Sequence, residues 1–366
     1  MTENQTVRDV IYLASCAVNE RIPDKARIAA MDLPSVYAFA CRHMITAAVA
    51  MALESAGCRE KYFRQAVAAA QRKAVIFQKT LEDVKKGLEE AGIWYMPLKG
   101  AVLKDLYPKY SMREFADHDI LFDASRAENV KALMEGLGFT AEHFGASNHD
   151  CYYKNPCLNF EMHRALFGPG HDEKLYAYYQ HVEERLLGDG FEKRFTPEDF
   201  YVYFLAHEYK HYSNGGTGLR SLLDTYVYLS KTRLDMNYVE AETEKLGIRE
   251  FEKQNRALSL HLYGGEALTA SDREMLDYIL SSGTYGTIAH SVQNKLRKTG
   301  WSKIRYMLDR FSVPVSRKNP KYTAYAGSYP FFYRHRVLLP LLPFYRTFRA
   351  IQSGRFKAEA KAVKDA

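Results

Sequence analysis

Cysteine is scarce in this sequence of 366 residues, and the five that occur are Cys16, Cys41, Cys58, Cys151 and Cys157. The count is odd, no CxxC pair occurs, and none of the five lies at zinc-finger spacing from a histidine. A disulfide-stapled scaffold and a zinc ribbon are therefore excluded. Free thiols in a reducing cytoplasm are the simplest interpretation.

Long apolar runs are also missing. No stretch reaches the roughly 20 apolar residues that a membrane-spanning helix requires. The N-terminus lacks a basic segment followed by an apolar stretch, so a signal peptide is not expected. We therefore predict a cytoplasmic protein. Its 47% hydrophobic and 26% charged residues are typical of globular chains, and its length predicts two or three compact units.

Acidic residues are few near the C-terminus, where most of the net charge of +7 resides. Residues 330–366 contain eight Lys or Arg and two acids, a formal charge of +6, so a general nucleic-acid coat is not indicated. The apolar segment 337–344 is bracketed by arginines, which would suit peripheral contact with anionic lipid at the inner membrane face. Pro340 and Pro343 argue against a continuous amphipathic helix, so packing of this segment on the protein is favoured.

Helix-forming and strand-forming patterns divide the chain into four parts. The predicted parts are an N-terminal helical region at 1–92, an α/β core at 93–195, a C-terminal helical domain at 196–329 and a basic, apolar tail at 330–366. Short apolar or alternating runs give the core the order β-α-β-α-β-β-β. The predicted strands are 93–98, 117–123, 139–144, 149–154 and 157–166. The predicted helices outside the core include 36–53 and 286–312. The predicted fold class is α+β, with a small mixed sheet between helical regions.

The most informative residues are three carboxylates in the predicted core. Asp117 and Asp119 lie on one strand, and the period of two places both on the same face. Two carboxylates so close repel each other unless a cation lies between them. Mg²⁺ is commonly held by one or two carboxylates together with substrate phosphates. Glu161 follows on a later strand, so the three acids converge if the two strands are neighbours.

A phosphate-binding element is predicted at Lys99-Gly100, where a strand turns into a helix. Glycine lets the backbone approach a phosphate closely, and the start of a helix offers unpaired N–H groups. Lys99 adds a point charge for a β- or γ-phosphate. Each of these patterns is common when taken singly. Their order along the chain, with a lone acid after a hairpin, is what indicates chemistry.

The run from Lys99 to His163 resembles the uncharacterised bacterial nucleotidyltransferases of the polymerase-beta-like superfamily. Their pattern is Leu-Lys-Gly, Tyr-Pro, an Arg ahead of an Asp-x-Asp strand, Gly-Phe or Gly-Tyr, and an acid-x-His strand. The matching residues are Leu98-Lys99-Gly100, Tyr107-Pro108, Arg113, Asp117, Asp119, Gly138-Phe139, Glu161 and His163. Only residues 93–166 match specifically, although the resemblance covers most of the chain. The wider superfamily carries Gly-Ser where Lys99-Gly100 stands, and the residue between the aspartates, here His118, is usually apolar.

The resemblance implies transfer of a nucleoside monophosphate from a nucleoside triphosphate to an acceptor hydroxyl or phosphate. It implies a minimal polymerase-beta-like core flanked by helical domains, with two Mg²⁺ ions, or alternatively Mn²⁺. Asp117 and Asp119 would bind both ions. Glu161 would bind the ion that activates the acceptor and would take its proton. The acceptor stays open, since a sugar phosphate, a glycan, a protein or an RNA end would all fit.

The resemblance also assigns roles to residues around the acids. Lys99 and the Gly100 backbone would hold the triphosphate. Arg113 would either neutralise phosphate charge or form a loop salt bridge. His163 would either orient Glu161 or be a core histidine, and His118 should point to the opposite face of the sheet as a core histidine.

The segment 207–211, HEYKH, supports a rival interpretation. Its HExxH spacing is typical of zinc metalloproteases, and Asp224 or Glu240 would be the third ligand. A structural or acceptor-binding role of this helix is favoured. Lys210, Arg220 and Lys231 are candidates to reach the active site from the C-terminal helical domain, although a solvated helix face is the favoured interpretation for each taken singly. A third alternative is a non-catalytic protein that binds the membrane surface through its basic tail.

Overall fold

A computed structural model describes residues 4–114, 116–168, 172–284, 286–300, 302–309, 311–317, 319 and 322–365. The helices before the sheet are α1 (Gln5–Val18), α2 (Lys25–Ala29), α3 (Leu33–Arg42), α4 (Thr46–Ser55) and α5 (Lys61–Glu90). The predicted helix 36–53 is therefore two helices. Met44 between them has a φ of 52°, a left-handed conformation that a right-handed helix cannot contain. The apolar pattern continues across this break because α3 and α4 pack in the same core.

The mixed sheet consists, among the described residues, of five strands in the order β1-β2-β5-β4-β3. The strands are β1 (Tyr95–Pro97), β2 (His118–Phe122), β3 (Thr140–Glu142), β4 (His149–Lys154) and β5 (Leu158–His163). β2 and β5 are parallel, whereas the other neighbouring pairs are antiparallel. The predicted α+β class with helical regions around a small mixed sheet is confirmed.

Two helices of the core connect these strands. The short α6 (Gly100–Leu103) follows β1, and α7 (Ala127–Gly136) follows β2. One face of the sheet packs against α7 and the second half of α5, with Phe77, Val130 and Phe160 at the centre of this layer. The other face, which carries Asp119 and Glu161, is turned toward the C-terminal helices.

The C-terminal helices complete the surroundings of the sheet. They are α8 (Glu173–Tyr178), α9 (Pro197–Asn214), α10 (Leu219–Lys231), α11 (Met236–Leu246), α12 (Arg249–Gly264), α13 (Ala270–Ser282), α14 (Ile288–Thr299) and α15 (Lys303–Asp309). The apolar residues of α8 to α13 form one continuous core with those of α1, α3 and α4, whereas Val292 of α14 and Tyr306 of α15 belong to a separate, smaller core. The predicted division of the chain at residues 92 and 195 stays a prediction. The predicted helix 286–312 is interrupted where Gly300, at a φ of 61°, ends α14.

The helix α16 (Tyr322–Ser328) precedes the tail, which is helical as well. The tail contains α17 (Pro330–Arg334), a 3-10 segment (Arg336–Leu341), α18 (Leu342–Gln352) and α19 (Arg355–Asp365). Pro343 lies in the first turn of α18, where no backbone N–H is needed, so it does not break that helix. Within the described ranges, no helix combines the length and the apolar character needed to cross a bilayer.

Candidate active site

The three predicted carboxylates meet at one cavity. Asp117 directly precedes β2, Asp119 is its second residue, and Glu161 lies opposite Asp119 in the parallel register of β2 with β5. All three line a cavity of about 430 Å³ between the sheet and the helices α9 and α10. The convergence expected from neighbouring strands is therefore present in the structure. Their catalytic and metal-binding roles stay predictions.

Asp119 is the most tightly held of the three. Lys99 Nζ donates a hydrogen bond to Asp119 Oδ1 over 2.7 Å, and His163 Nε2 donates to the same oxygen over 2.8 Å. Burial by itself would raise the pKa of Asp119, but the Lys99 ammonium and the His163 hydrogen bond hold it well below its usual range. Burial lowers the pKa of His163. A neutral imidazole and an ionised carboxylate therefore form this pair, which fixes the proton on Nε2.

Glu161 has a different environment, although it lies beside Asp119. Burial, followed by repulsion from Asp119 and Asp117, raises the pKa of Glu161 to about 7. The pKa of Asp117 is also raised, by burial and by Asp119. The Glu161 carboxylate lies 3.7 Å from Nε2 of both His149 and His163. Asp119 is thus held in the charged form, whereas the neighbouring Asp117 and Glu161 lack a sufficient counter-charge.

The residues at this point fit a divalent cation. The ligand atoms of Asp119, Glu161 and His163 lie within 4.8 Å of one another. Two carboxylates and an imidazole suit Mn²⁺, and the carboxylate oxygens with Asp117 nearby suit Mg²⁺. A cation between the acids would remove the repulsion that raises the pKa of Glu161 and of Asp117.

Lys99 and Gly100 form the turn between β1 and α6. Lys99 has a φ of 40° and a ψ of −111°, a conformation that is rare for a residue with a side chain and is typical of functional sites. A Cβ at Gly100 would lie 2.4 Å from Nη1 of Arg113, so the glycine leaves room for that guanidinium. Both residues line the cavity, but the ammonium of Lys99 is paired with Asp119. Triphosphate binding by Lys99 and Gly100 stays a prediction.

Arg113 is committed to a buried ion pair. Its Nε and Nη2 atoms donate to the two carboxylate oxygens of Asp224 over 2.7 and 2.8 Å, and Tyr107 donates to the same carboxylate over 2.7 Å. Asp224 lies on α10, so this pair fastens the segment before β2 to the C-terminal helices. Arg113 therefore forms an ion pair in the structure, as in the salt-bridge alternative. Contact with a phosphate stays a prediction, since Arg113 also lines the cavity.

The C-terminal helices supply further cations to the cavity. Lys210 on α9 and Arg220 on α10 both line it and are half-buried. Burial and the neighbouring Lys99 lower the pKa of Lys210 to about 8, while Asp119 and Glu161 raise it. The Arg220 guanidinium donates to the Glu114 backbone oxygen over 3.2 Å. Lys99, Lys210 and Arg220 thus give the cavity a cationic side next to its carboxylates.

The HExxH histidines do not form a zinc site of the expected composition. His207 and His211 approach within 3.2 Å through their Nε2 atoms. Asp224 is bound by Arg113 and Tyr107, and Glu240 pairs with Arg249 and Lys253. In the part of the chain that the structure describes, no ligand cluster of three or more includes the two histidines.

Sequence reasoning missed His149, and both alternatives for His163 stay open, since its Nε2 lies 2.8 Å from Asp119 and 3.7 Å from Glu161. His149 faces His163 in the antiparallel register of β4 with β5, and their ring centroids are 5.0 Å apart. The hairpin predicted between these strands was the signal that could have identified it. His163 contacts Asp119 more closely than Glu161. His118 points to the opposite face as predicted, where it packs against Phe77 and Phe160.

Comparison with known protein families identifies the family of this chain. A family model described as an uncharacterised nucleotidyltransferase matches residues 29–264, which include the sheet, α9, α10 and every residue discussed above as a carboxylate or cation of the cavity. No curated protein and no solved structure matches the chain. The match extends over more than half of the sequence, and the chain therefore belongs to the uncharacterised nucleotidyltransferase family.

Proposed function

We propose that this chain is a divalent-metal-dependent enzyme that transfers a nucleoside monophosphate from a nucleoside triphosphate to an acceptor hydroxyl or phosphate. The observation that carries this proposal is the pairing of Asp119 with Glu161 across two parallel strands, next to Lys99. Membership of a nucleotidyltransferase family supports the reaction class. In this reaction the bond from the α-phosphorus to the pyrophosphate oxygen breaks, and a bond to the acceptor oxygen forms.

Asp117, Asp119 and Glu161 would hold the metal ions. When bound, such ions lower the pKa of an attacking hydroxyl and neutralise charge on a leaving pyrophosphate. The chain's own contribution to proton transfer is Glu161. Glu161 would take the acceptor's proton. The pKa of about 7 that burial and the neighbouring acids give it describes this carboxylate before the metal ions bind.

The cationic side of the cavity would bind the triphosphate. Lys210 and Arg220 lie on helices of the C-terminal region, whereas Lys99 follows β1. A triphosphate held between them would bridge the sheet and these helices. Lys99 would move from Asp119 to a phosphate oxygen once a divalent cation takes over the charge of that carboxylate. His163 would continue to orient Asp119.

The test is a screen for pyrophosphate release. Purified protein is incubated with Mg²⁺ and a cell extract as the acceptor source, with each of the four α-labelled nucleoside triphosphates in turn. We expect label transfer with at least one nucleotide. Asp119→Asn should lower the rate by on the order of a thousandfold, since metal coordination supplies several kcal/mol of charge stabilisation.

The matched control is Glu142→Gln, because Glu142 is an exposed acid of the same sheet on β3. It should leave the rate unchanged. Asp119→Asn removes the charge that is paired with Lys99, so its unfolding temperature should fall, and the rate is compared at a temperature at which the variant is folded. Transfer that persists in Asp119→Asn, or no transfer with any of the four nucleotides, would contradict the proposal.

A further inference from the structure

Large apolar side chains are concentrated on the surface of the C-terminal region. Among the residues that the structure describes, eighteen large apolar side chains are exposed, and eleven of them follow residue 303. Scattered exposed apolar residues are normal on a protein surface, but a concentration of them marks a binding surface. This region lies outside the residues that match the family.

The centre of this surface is one face of α18. Its members recur at helical spacing of three, four and three residues, so they form one stripe along the helix. They are Leu341, Phe344, Phe348 and Ile351. The opposite side of α18, with Leu342 and Ala350, is buried against the protein. Phe311 extends the stripe, because its ring centroid lies 6.1 Å from that of Phe344. We refer to these five exposed residues as the apolar face.

The chain segment that carries the apolar face has charges of a single sign. Residues 310–358 contain ten Lys or Arg and no Asp or Glu, whereas the rest of the chain has a formal charge of −3. Arg334, Arg349 and Lys357 are exposed around α18. An exposed apolar stripe flanked by cations is the arrangement with which amphipathic helices lie in the interface of an anionic bilayer.

We propose that the apolar face and its flanking cations dock this protein on an anionic lipid surface. Lipid favours both features together, because the acyl region takes the apolar side chains while the headgroups neutralise the arginines. A second copy of this chain fits less well, since a two-fold interface would place the same cationic surface against itself. Nucleic acid would use the arginines but offers no apolar layer for Leu341 and Ile351. The proposal is independent of nucleotidyl transfer.

The experiment is co-sedimentation of the full-length protein with vesicles. Binding is measured with vesicles of phosphatidylcholine alone and with vesicles that also contain phosphatidylglycerol. We expect binding to the anionic vesicles only, and weaker binding at high salt. Phe344→Ser/Phe348→Ser should weaken binding by roughly tenfold or more, because two largely exposed phenylalanines lose their burial in lipid.

The charge variant is Arg334→Gln/Arg349→Gln. It should weaken binding roughly 25-fold, since each cation near an anionic surface contributes on the order of 1 kcal/mol, or about fivefold. The controls are matched in chemistry and lie away from the tail. Ile22→Ser/Val75→Ser removes apolar side chains that are 71% and 70% exposed, comparable with 65% at Phe344 and 58% at Phe348. Arg64→Gln/Arg72→Gln removes two exposed arginines of α5. Both control variants should bind vesicles as the parent does.

The substituted side chains are exposed, so all four variants should unfold at the parent's temperature. Four results would overturn the proposal. The first is no binding to anionic vesicles. The second is binding that the Phe344→Ser/Phe348→Ser change leaves intact. The third is a dimer, detected by light scattering, that this change dissociates while vesicles stay unbound. RNA binding with no vesicle binding would likewise overturn it.

Discussion

The raised pKa of Glu161 leads to a prediction about metal binding. Burial and repulsion from Asp119 and Asp117 bring this pKa to about 7 in the metal-free protein. A carboxylate ligand must be deprotonated, so a divalent cation has to displace the Glu161 proton. At pH 7 about half of the Glu161 population is protonated, against roughly nine tenths at pH 6 and one tenth at pH 8. Binding of one ion should therefore release about half a proton at pH 7, and the apparent affinity should fall about tenfold from pH 8 to pH 6.

The raised pKa of Glu161 also determines how the stability of the fold depends on pH. A carboxyl whose pKa is higher in the folded protein than in the unfolded chain stabilises the fold at low pH, and this contribution is lost as the pH rises. For Glu161 the loss occurs from its ordinary pKa up to about 7. The metal-free protein should therefore gain more thermal stability from a divalent cation at pH 8 than at pH 6.

Isothermal titration calorimetry with Mn²⁺ measures this proton release. Titrations in buffers of different ionisation enthalpy give the number of protons released at each pH. Glu161→Gln should abolish most of the release, and Glu142→Gln, which removes an exposed acid of the same sheet, should preserve it. Proton release that is unchanged in Glu161→Gln, or an affinity independent of pH between 6 and 8, would refute the reasoning.

Three further variants test the surroundings of the site. Arg113→Met should lower the free energy of unfolding by about 3–5 kcal/mol in urea denaturation, because it leaves the buried Asp224 carboxylate without its bidentate partner; a loss below about 1 kcal/mol would argue against this. Lys210→Met should weaken nucleotide binding roughly 10- to 160-fold in titrations, since a charged contact to phosphate contributes about 1.5–3 kcal/mol, and unchanged affinity would remove Lys210 from the triphosphate site. Burial raises the pKa of Glu208 to about 8, so its charged form is disfavoured in the fold, and Glu208→Gln should stabilise the protein at pH 9 but not at pH 5. Equal effects of Glu208→Gln at both pH values in denaturation curves would contradict that shift.

The strands that carry the carboxylates were predictable from the sequence, because a strand shows itself in the alternation of neighbouring residues. Alternation in the segments around Asp119 and Glu161 identified β2 and β5 and the face that each acid occupies. The turn at 155–157 made β4 the antiparallel neighbour of β5. That β2 is the other neighbour of β5 depends on non-local pairing, which periodicity does not encode. The family resemblance supplied that step.

The partners of the site residues could not be read from the sequence. Arg113 pairs with Asp224, which is 111 positions away, and that pair depends on how α10 packs against the sheet. Lys99 contacts Asp119 because its backbone adopts a φ of 40°, which no composition pattern predicts. Helix ends were also missed where the break is a single residue, as at Met44 and Gly300, since the apolar periodicity continues past them.

The structure of the tail was also only partly predictable from the sequence. The sequence indicated the tail's charge, and the two prolines argued against one continuous amphipathic helix. Pro340 lies within the 3-10 segment and Pro343 in the first turn of α18, so the α-helix begins only at Leu342. The exposure of the apolar face depends on which side of α18 packs on the protein, and only the tertiary structure specifies that side.

The most direct test of the central claim is a crystal structure with Mn²⁺ and a non-hydrolysable nucleoside triphosphate analogue, examined by anomalous scattering. We predict anomalous density between Asp119 and Glu161, within coordination distance of both carboxylates and of Asp117, with the triphosphate extending toward Lys210. Density at His207 and His211 instead, or a nucleotide bound away from Glu161, would contradict the account.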